Sequence, residues 1–362
     1  MKRRYVLIGG IALSISQLGL GCNAKPTLKV QTLKQSVPPQ LVSNFREEWK
    51  SAIPFQVIPQ TQLQDLFALL QRWKQLSIAN LTPSDRASLV MLGNSWLRNA
   101  ISQELIQPLD PAKLSLWSKL PPRCQDLVTY QDKVWGAPYR WGTTAIAYRV
   151  DKFKKLGWTP TDWKDLWRPQ LRDRISLLDN AREVIGLTLK KLGYSYNTPN
   201  LDKIPQLKEE LRNLNKQVKF YSSDRYLQPL ILGDTWLAVG ASTDLLSLFP
   251  DRDDIAVIIP ESGTSLWAEL WVIPAEIEPM DLSYQWINFC WQPKNAMQLS
   301  LFTKAASPII STYSVNELPK SLVDNTLRFP DSTLIDKSEF ILPLSQDAIG
   351  QYRSYWQEMR VR

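Results

Sequence analysis

Glu183, Glu269, Trp267 and Arg140 are two carboxylates, an indole and a guanidinium whose types and spacing could contact a charged group. A buried cation needs opposite charge and hydrogen bonds, and an aromatic face adds cation–π attraction. Glu183 follows Asn180 by three residues, in L-L-D-N-A-R-E-V-I-G. That spacing has two readings. Asn180 as N-cap with Glu183 three on is a capping box, and a glutamate in a first turn also offsets the helix dipole. Alternatively both side chains face a ligand from a helix start, and the roles can coexist. Trp267 and Glu269 lie two apart in W-A-E-L-W, so both can share one face of a strand, with Trp271 further along it. Against this stands a core tryptophan beside a surface glutamate, in a chain with 15 tryptophans. Arg140, between Tyr139 and Trp141, either pairs with a cleft carboxylate, binds the carboxylate of a zwitterionic ligand, or is a surface or hinge residue. Asp179, Asp224, Ser242 and Asp244 are weaker candidates at strand ends.

Missing chemistry narrows the class. The 362-residue chain has no histidine, which removes the commonest general base and metal ligand. It has no metal-ligand cluster and no glycine-rich phosphate loop. Glu183 and Glu269 could serve as acid and base, but nothing specifies a leaving group. The expectation is a protein that is not an enzyme, with no cofactor and no metal. Net charge is +8, with no dense Lys/Arg block, so nucleic acid is not favoured as a partner. Cys124 and Cys290 read as core residues or a pair, and spacing does not decide between them.

The elements that position these residues read as two α/β units. Leu28–Leu33, Phe55–Ile58 and Leu89–Leu92 are strands separated by helices carrying Leu41, Phe45, Trp49 and then Leu63, Leu66, Phe67, Leu70, Trp73. This βαβαβ pattern predicts a parallel sheet. The extended run W-G-A-P-Y-R-W-G-T-T-A-I-A-Y-R follows, then a strand, Ile175 to Leu178, that breaks at Asp179-Asn180 into a helix. A strand end feeding a helix start is where open α/β sheets bind ligands. Val218–Tyr221, Leu237–Val239, Ile255–Ile259 and Trp267–Ile273 are further strands, and Leu344, Ala348, Tyr352, Trp356 and Met359 mark a closing amphipathic helix. No flexible linker divides the units, so the chain is expected to cross between them more than once.

The N-terminus reads as a leader. Lys2-Arg3-Arg4 precede an apolar run, Tyr5 to Ile15, too short to span a bilayer. Leu18-Gly19-Leu20-Gly21-Cys22 resembles a lipoprotein processing site, with Gly19 where a large aliphatic residue is usual. Residues 1–21 are therefore expected to be an export signal, Sec or twin-arginine, and Cys22 a lipid attachment point at the head of a tether to residue 27. A periplasmic, membrane-anchored protein follows.

W-G-A-P-Y-R-W-G-T-T-A-I, W-K-D-L-W-R-P, L-L-D-N-A-R-E-V-I-G-L-T-L-K-K-L-G-Y, W-A-E-L-W-V-I-P-A and I-N-F-C-W-Q-P resemble the spermidine/putrescine-binding proteins of ABC uptake systems, most densely from Gly136 to Pro293. The resemblance implies a two-lobed, hinged periplasmic-binding-protein type II-like fold with an interlobe cleft. Residues 28–142 plus 268–311 would form one lobe, and 143–267 plus 312–362 the other with the closing helix. It implies a receptor that binds a polyamine or a smaller cationic or zwitterionic amine, and then docks on a membrane permease. A monomer is expected. The alternative is a ligand-sensing or envelope-interaction lipoprotein with a degenerate pocket. Carried over, Glu183 matches an acidic ligand contact and Trp267 an aromatic one, while Glu269 stands where the family has Asp. Departures are many. Asn180 replaces an Asp, Gln35 a Glu, and Leu33 and Ser36 a flanking Trp and Tyr. Gly93 and Ser95 replace a Ser and a Tyr, Ala241 a stacking Trp, and Ile341 a Gln. What remains suits one ammonium group better than a long polycation.

Overall fold

The computed structural model describes residues 27–361, apart from 50–52, 78–85, 249–251, 278–280, 314–316 and 324. The expected leader and Cys22 lie outside the described residues. The first half builds β1 (Leu28–Leu33), α1 (Pro39–Glu48), β2 (Phe55–Gln60), α2 (Leu63–Ser77) and β3 (Leu89–Gly93). β1 lies between β2 and β3, parallel to both. All five residues of β3 are buried, as a parallel strand covered on both faces requires. Pro39 opens α1, where a missing N–H is no loss, and the helix turns Leu41 and Phe45 inward. The Phe45 ring sits 4.7–5.0 Å from those of Trp49, Phe55, Trp286 and Phe289.

The second half adds β4 (Ala137–Arg149), β5 (Ile175–Leu177), α3 (Ala181–Lys191), α4 (Leu207–Asn215), β6 (Val218–Tyr221), β7 (Leu237–Ala241), α5 (Ser242–Leu246), β8 (Ile255–Ile258) and β9 (Ser265–Pro274). α6 (Asp281–Trp291) and the closing α7 (Gln346–Arg360) complete the frame. The strand order is β2-β1-β3-β9-β4-β7-β5-β6, with β8 also on β4. β7, β5 and β6 are mutually parallel, so the parallel expectation holds for the outer strands of each half. The middle differs: β9 is antiparallel to β3 and to β4, and β4 is antiparallel to β7. These two strands carry the chain between the halves.

β4 changes partners midway. Residues up to Thr143 pair with β9, and Thr144 to Tyr148 pair with β7. The switch falls at Gly142 and Thr143. The backbone is packed too closely there for a side chain, since a Cβ on Gly142 would sit 2.4 Å from the Trp267 ring and 2.9 Å from Ser242 Oγ. Separate cores form on either side. One holds Leu28, Val30, Met91, Trp271, Trp286 and Leu322, and the other Ile146, Trp163, Val184, Leu187, Tyr352 and Met359. A third, smaller cluster holds Ala147, Leu230, Leu245 and Ile255. The two main cores, joined by crossing strands, give the molecule two lobes. Tyr313, Leu318, Phe329 and Phe340 lean on the first core, and α7 packs on α3 and α4. Cys124 and Cys290 are buried and unpaired, and burial pushes the Cys124 thiol up to about 12.

Candidate functional site

The end of β5 and the start of α3 supply the first acid. Asn180 is the N-cap: its Oδ1 accepts from the N–H of Arg182 at 2.9 Å and of Glu183 at 3.3 Å. Glu183 does not return the favour. Its carboxylate turns inward, is 8% exposed, and accepts from Ser265 Oγ on β9 at 2.8 Å. The capping ambiguity is thus divided, with Asn180 serving the helix and Glu183 facing the crossing strands. Burial raises the Glu183 carboxyl above its ordinary value, against the opposing pull of the Ser265 and Thr144 hydroxyls and the Arg182 charge. Among the described residues Glu183 forms no ion pair. Arg182 is engaged elsewhere, donating to Asn197 Oδ1 and the Leu342 carbonyl.

β9 supplies the second acid. Ser265, Trp267 and Glu269 alternate onto one face of the strand. Glu269 is 2% exposed, and both its oxygens are taken by Arg140, from Nε at 2.7 Å and Nη2 at 2.8 Å. Arg140 and Glu269 are register partners across β4 and β9, which aligns the planar fork with the carboxylate. Burial works to lower the Arg140 pKa, but the Glu269 charge and hydrogen bonds outweigh it and the net shift is upward. Of the roles open to Arg140, the structure shows the ion pair with a carboxylate. Its guanidinium also lies 5.8 Å from the Trp267 ring. Trp267 is half-buried, and its Nε1 is shielded from solvent without a hydrogen-bond partner.

Trp271 does not present an open face. It is fully buried, with its ring 4.7 Å from Tyr139 and 6.1 Å from Trp286. α6 covers that end of β9, so the face carrying Trp267 is roofed further along. Gln35 is exposed in the turn after β1 with φ 63°, and Ser95 is half-buried in the turn after β3. Neither touches the Glu183–Ser265 or Arg140–Glu269 groups through a hydrogen bond. Ser36 is buried and ties its Oγ to the Leu33 carbonyl, and Tyr139 Oη donates to the Ser36 carbonyl. Of the weaker candidates, Asp179 pairs with Arg360 and Asp224 holds Ser222. Ser242 Oγ accepts from the Thr143 N–H. Asp244 accepts from Tyr226 Oη at 2.7 Å, and its charge helps raise Arg140.

Sequence reasoning missed Asn94, Ser265 and Tyr226. Asn94 donates to the Ile341 carbonyl and accepts from the Ala268 N–H, fastening β3 and the 341 segment to β9. Ser265 had a usable signal, being two residues before Trp267 on the same strand face. Tyr226 had none, because only the fold of the loop that carries it brings it to Asp244 on α5.

The arrangement offers a buried acid without an ion pair, an indole face and a second acid neutralised from within, all at the crossing strands. Binding and release of a charged solute is chemistry it can perform. The spermidine/putrescine-binding periplasmic protein of Escherichia coli is 26% identical over 361 residues, covering 99% of this chain and 98% of that protein. The putrescine-binding periplasmic protein PotF of the same organism is 26% identical over 336 residues, covering 86% and 87%. The solved spermidine/putrescine ABC transporter substrate-binding protein PotD of Streptococcus pneumoniae superposes with a TM-score of 0.80 at 21% identity, over 92% of this chain and 98% of that one. The TpPotD lipoprotein of Treponema pallidum gives 0.75 at 18%, over 93% and 100%. These superpositions match the two-lobed, type II periplasmic-binding fold. The model of the bacterial extracellular solute-binding protein family matches residues 84–338, well over half of the sequence, and the chain belongs to that family.

Proposed function

We propose that this chain is the solute-binding receptor of an ABC importer. It takes a polyamine or a smaller cationic or zwitterionic amine between its lobes and delivers it to a permease in the cytoplasmic membrane. The observation that carries the reading is Glu183: a carboxylate buried at the crossing strands, held by Ser265, with no ion pair among the described residues. A buried charge without a partner is unfavourable, and an arriving ammonium relieves it. Relatives named for spermidine and putrescine point to the same ligand chemistry.

The lobes we infer are residues 28–142 with 268–311, and 143–267 with the closing helix. The packing of Tyr313, Leu318 and Leu322 on the first core favours extending the first lobe beyond 311. Asn180, Gln35 and Ser95 would line the cleft mouth, and Trp267 its wall. No helix among the described residues is long and apolar enough to cross a membrane. We infer export through residues 1–21, anchoring by a lipid on Cys22, a periplasmic location and a monomer.

A thermal-shift panel of polyamines, diamines, monoamines and amino acids on the mature protein tests the reading. A true ligand at a hundred times its dissociation constant adds about 2.7 kcal/mol of stability. A panel in which no amine raises the melting temperature sinks it.

A further inference from the structure

A carboxylate beside an aromatic face is a seat for a cation, and β9 builds one from Glu269 and Trp267. That seat is already filled by the chain itself. Arg140 reaches across from β4, engages both oxygens of Glu269, and rests its guanidinium 5.8 Å from the Trp267 ring. The pair is almost completely buried, with Arg140 7% and Glu269 2% exposed. A ligand ammonium could use Glu269 only by displacing a fork of two short charge-assisted bonds, leaving a buried guanidinium unpaired. An ammonium approaching without displacement meets a like charge. Glu183 has no such internal partner among the described residues, being held by a neutral hydroxyl.

We infer that Arg140 is a specificity-determining residue: a built-in cation that fills the Glu269–Trp267 seat and restricts the cleft to ligands offering one ammonium group, received at Glu183. The inference rests on the amine-receptor reading and names the ligand class within it. A diamine gains nothing from its second charge in this protein. Freed of Arg140, the same cleft presents two acids and prefers a diamine.

Butylamine and putrescine, equal in carbon count and differing by one ammonium, are the probes. Calorimetric titration of the mature protein should give affinities within about threefold of each other after statistical correction for putrescine's two ends. In Arg140→Met the putrescine-to-butylamine affinity ratio should rise at least tenfold. The double variant Arg140→Met/Glu269→Leu removes occupant and seat together, avoids leaving a buried charge alone, and should return the ratio to the parental value. Parental protein that already prefers putrescine by tenfold or more overturns the inference, as does an unchanged ratio in a folded Arg140→Met. If that single variant does not fold, a double variant whose ratio differs more than threefold from the parent overturns it, because the seat would then be serving ligand. Heat from neither amine with any of the proteins overturns the amine reading itself, and the inference with it.

Discussion

Glu183→Gln keeps the shape of the side chain and an acceptor for Ser265 Oγ, 2.8 Å away, so what it removes is charge. Losing a carboxylate that faces a buried cation costs about 3–5 kcal/mol, or roughly two to more than three decades of affinity. pH should act through the same atom. Burial raises the Glu183 carboxyl, so the unliganded protein takes up a proton at a less acidic pH than an ordinary glutamate would. An arriving ammonium must expel that proton. Below the raised pKa the affinity should therefore fall about tenfold per pH unit, about 1.4 kcal/mol each, with a proton released on binding. Stability runs the other way. A carboxyl with a raised folded-state pKa contributes fully below its unfolded value, and loses that contribution as pH rises through the folded one. The glutamine variant should thus melt above the parent at pH 8, with the gap closing on acidification. Titration calorimetry from pH 8 to pH 5, in two buffers of different ionisation heat, reads affinity and proton release together. A flat parental profile without proton release, or a glutamine variant binding within threefold of the parent, refutes the reasoning.

Asn180→Asp should retain the helix cap, since Asp caps as well as Asn, while adding a carboxylate at the mouth. Amine affinity should rise several-fold with the urea midpoint unmoved, whereas Asn180→Ala should cost about 1 kcal/mol of stability. Gly142→Ala forces a Cβ to within 2.4 Å of the Trp267 ring. The ring must shift, so affinity should drop at least tenfold by calorimetry with about 1–3 kcal/mol lost by urea denaturation. Arg140→Met strands a buried carboxylate and should lose about 3–5 kcal/mol in the same assay, and adding Glu269→Leu should recover most of it. Equal and additive losses would show that the pair is not coupled.

The elements were legible where one face is apolar at a regular period. Leu63, Leu66, Phe67, Leu70 and Trp73 gave α2 from its first residue to four short of its end at Ser77, and Leu207, Leu211 and Leu214 gave α4 to within a residue of both ends. Direction within the sheet was not. β9 pairs with β4 although Arg140 and Glu269 are 129 residues apart, and nothing local to either strand records which way its partner runs. The same limit governs the site. Residue type and spacing brought Asn180 and Glu183 to one helix start, but only the position of Ser265 decides that the carboxylate turns away from the cap. The burial of Trp271 was hidden for a related reason. Its spacing from Trp267 is right for a shared face, but the roof over it comes from Trp286 on another helix.

The two acids of β9 and α3 differ in what they can contribute to a moving receptor. A ligand shifts a conformational equilibrium only by its differential affinity for the two states. Glu269 is already satisfied by Arg140 within one pair of strands, so its energy hardly changes when a solute arrives. Glu183 sits on α3 in one lobe and is held by Ser265, at the point where β9 enters the crossing. Its charge is unfavourable in buried surroundings, and a cation beside it would relieve that cost. On the proposed amine-receptor reading, the unpaired acid is the one able to couple ligand charge to a change in lobe arrangement, and the paired acid the one that sets which ligands are admitted.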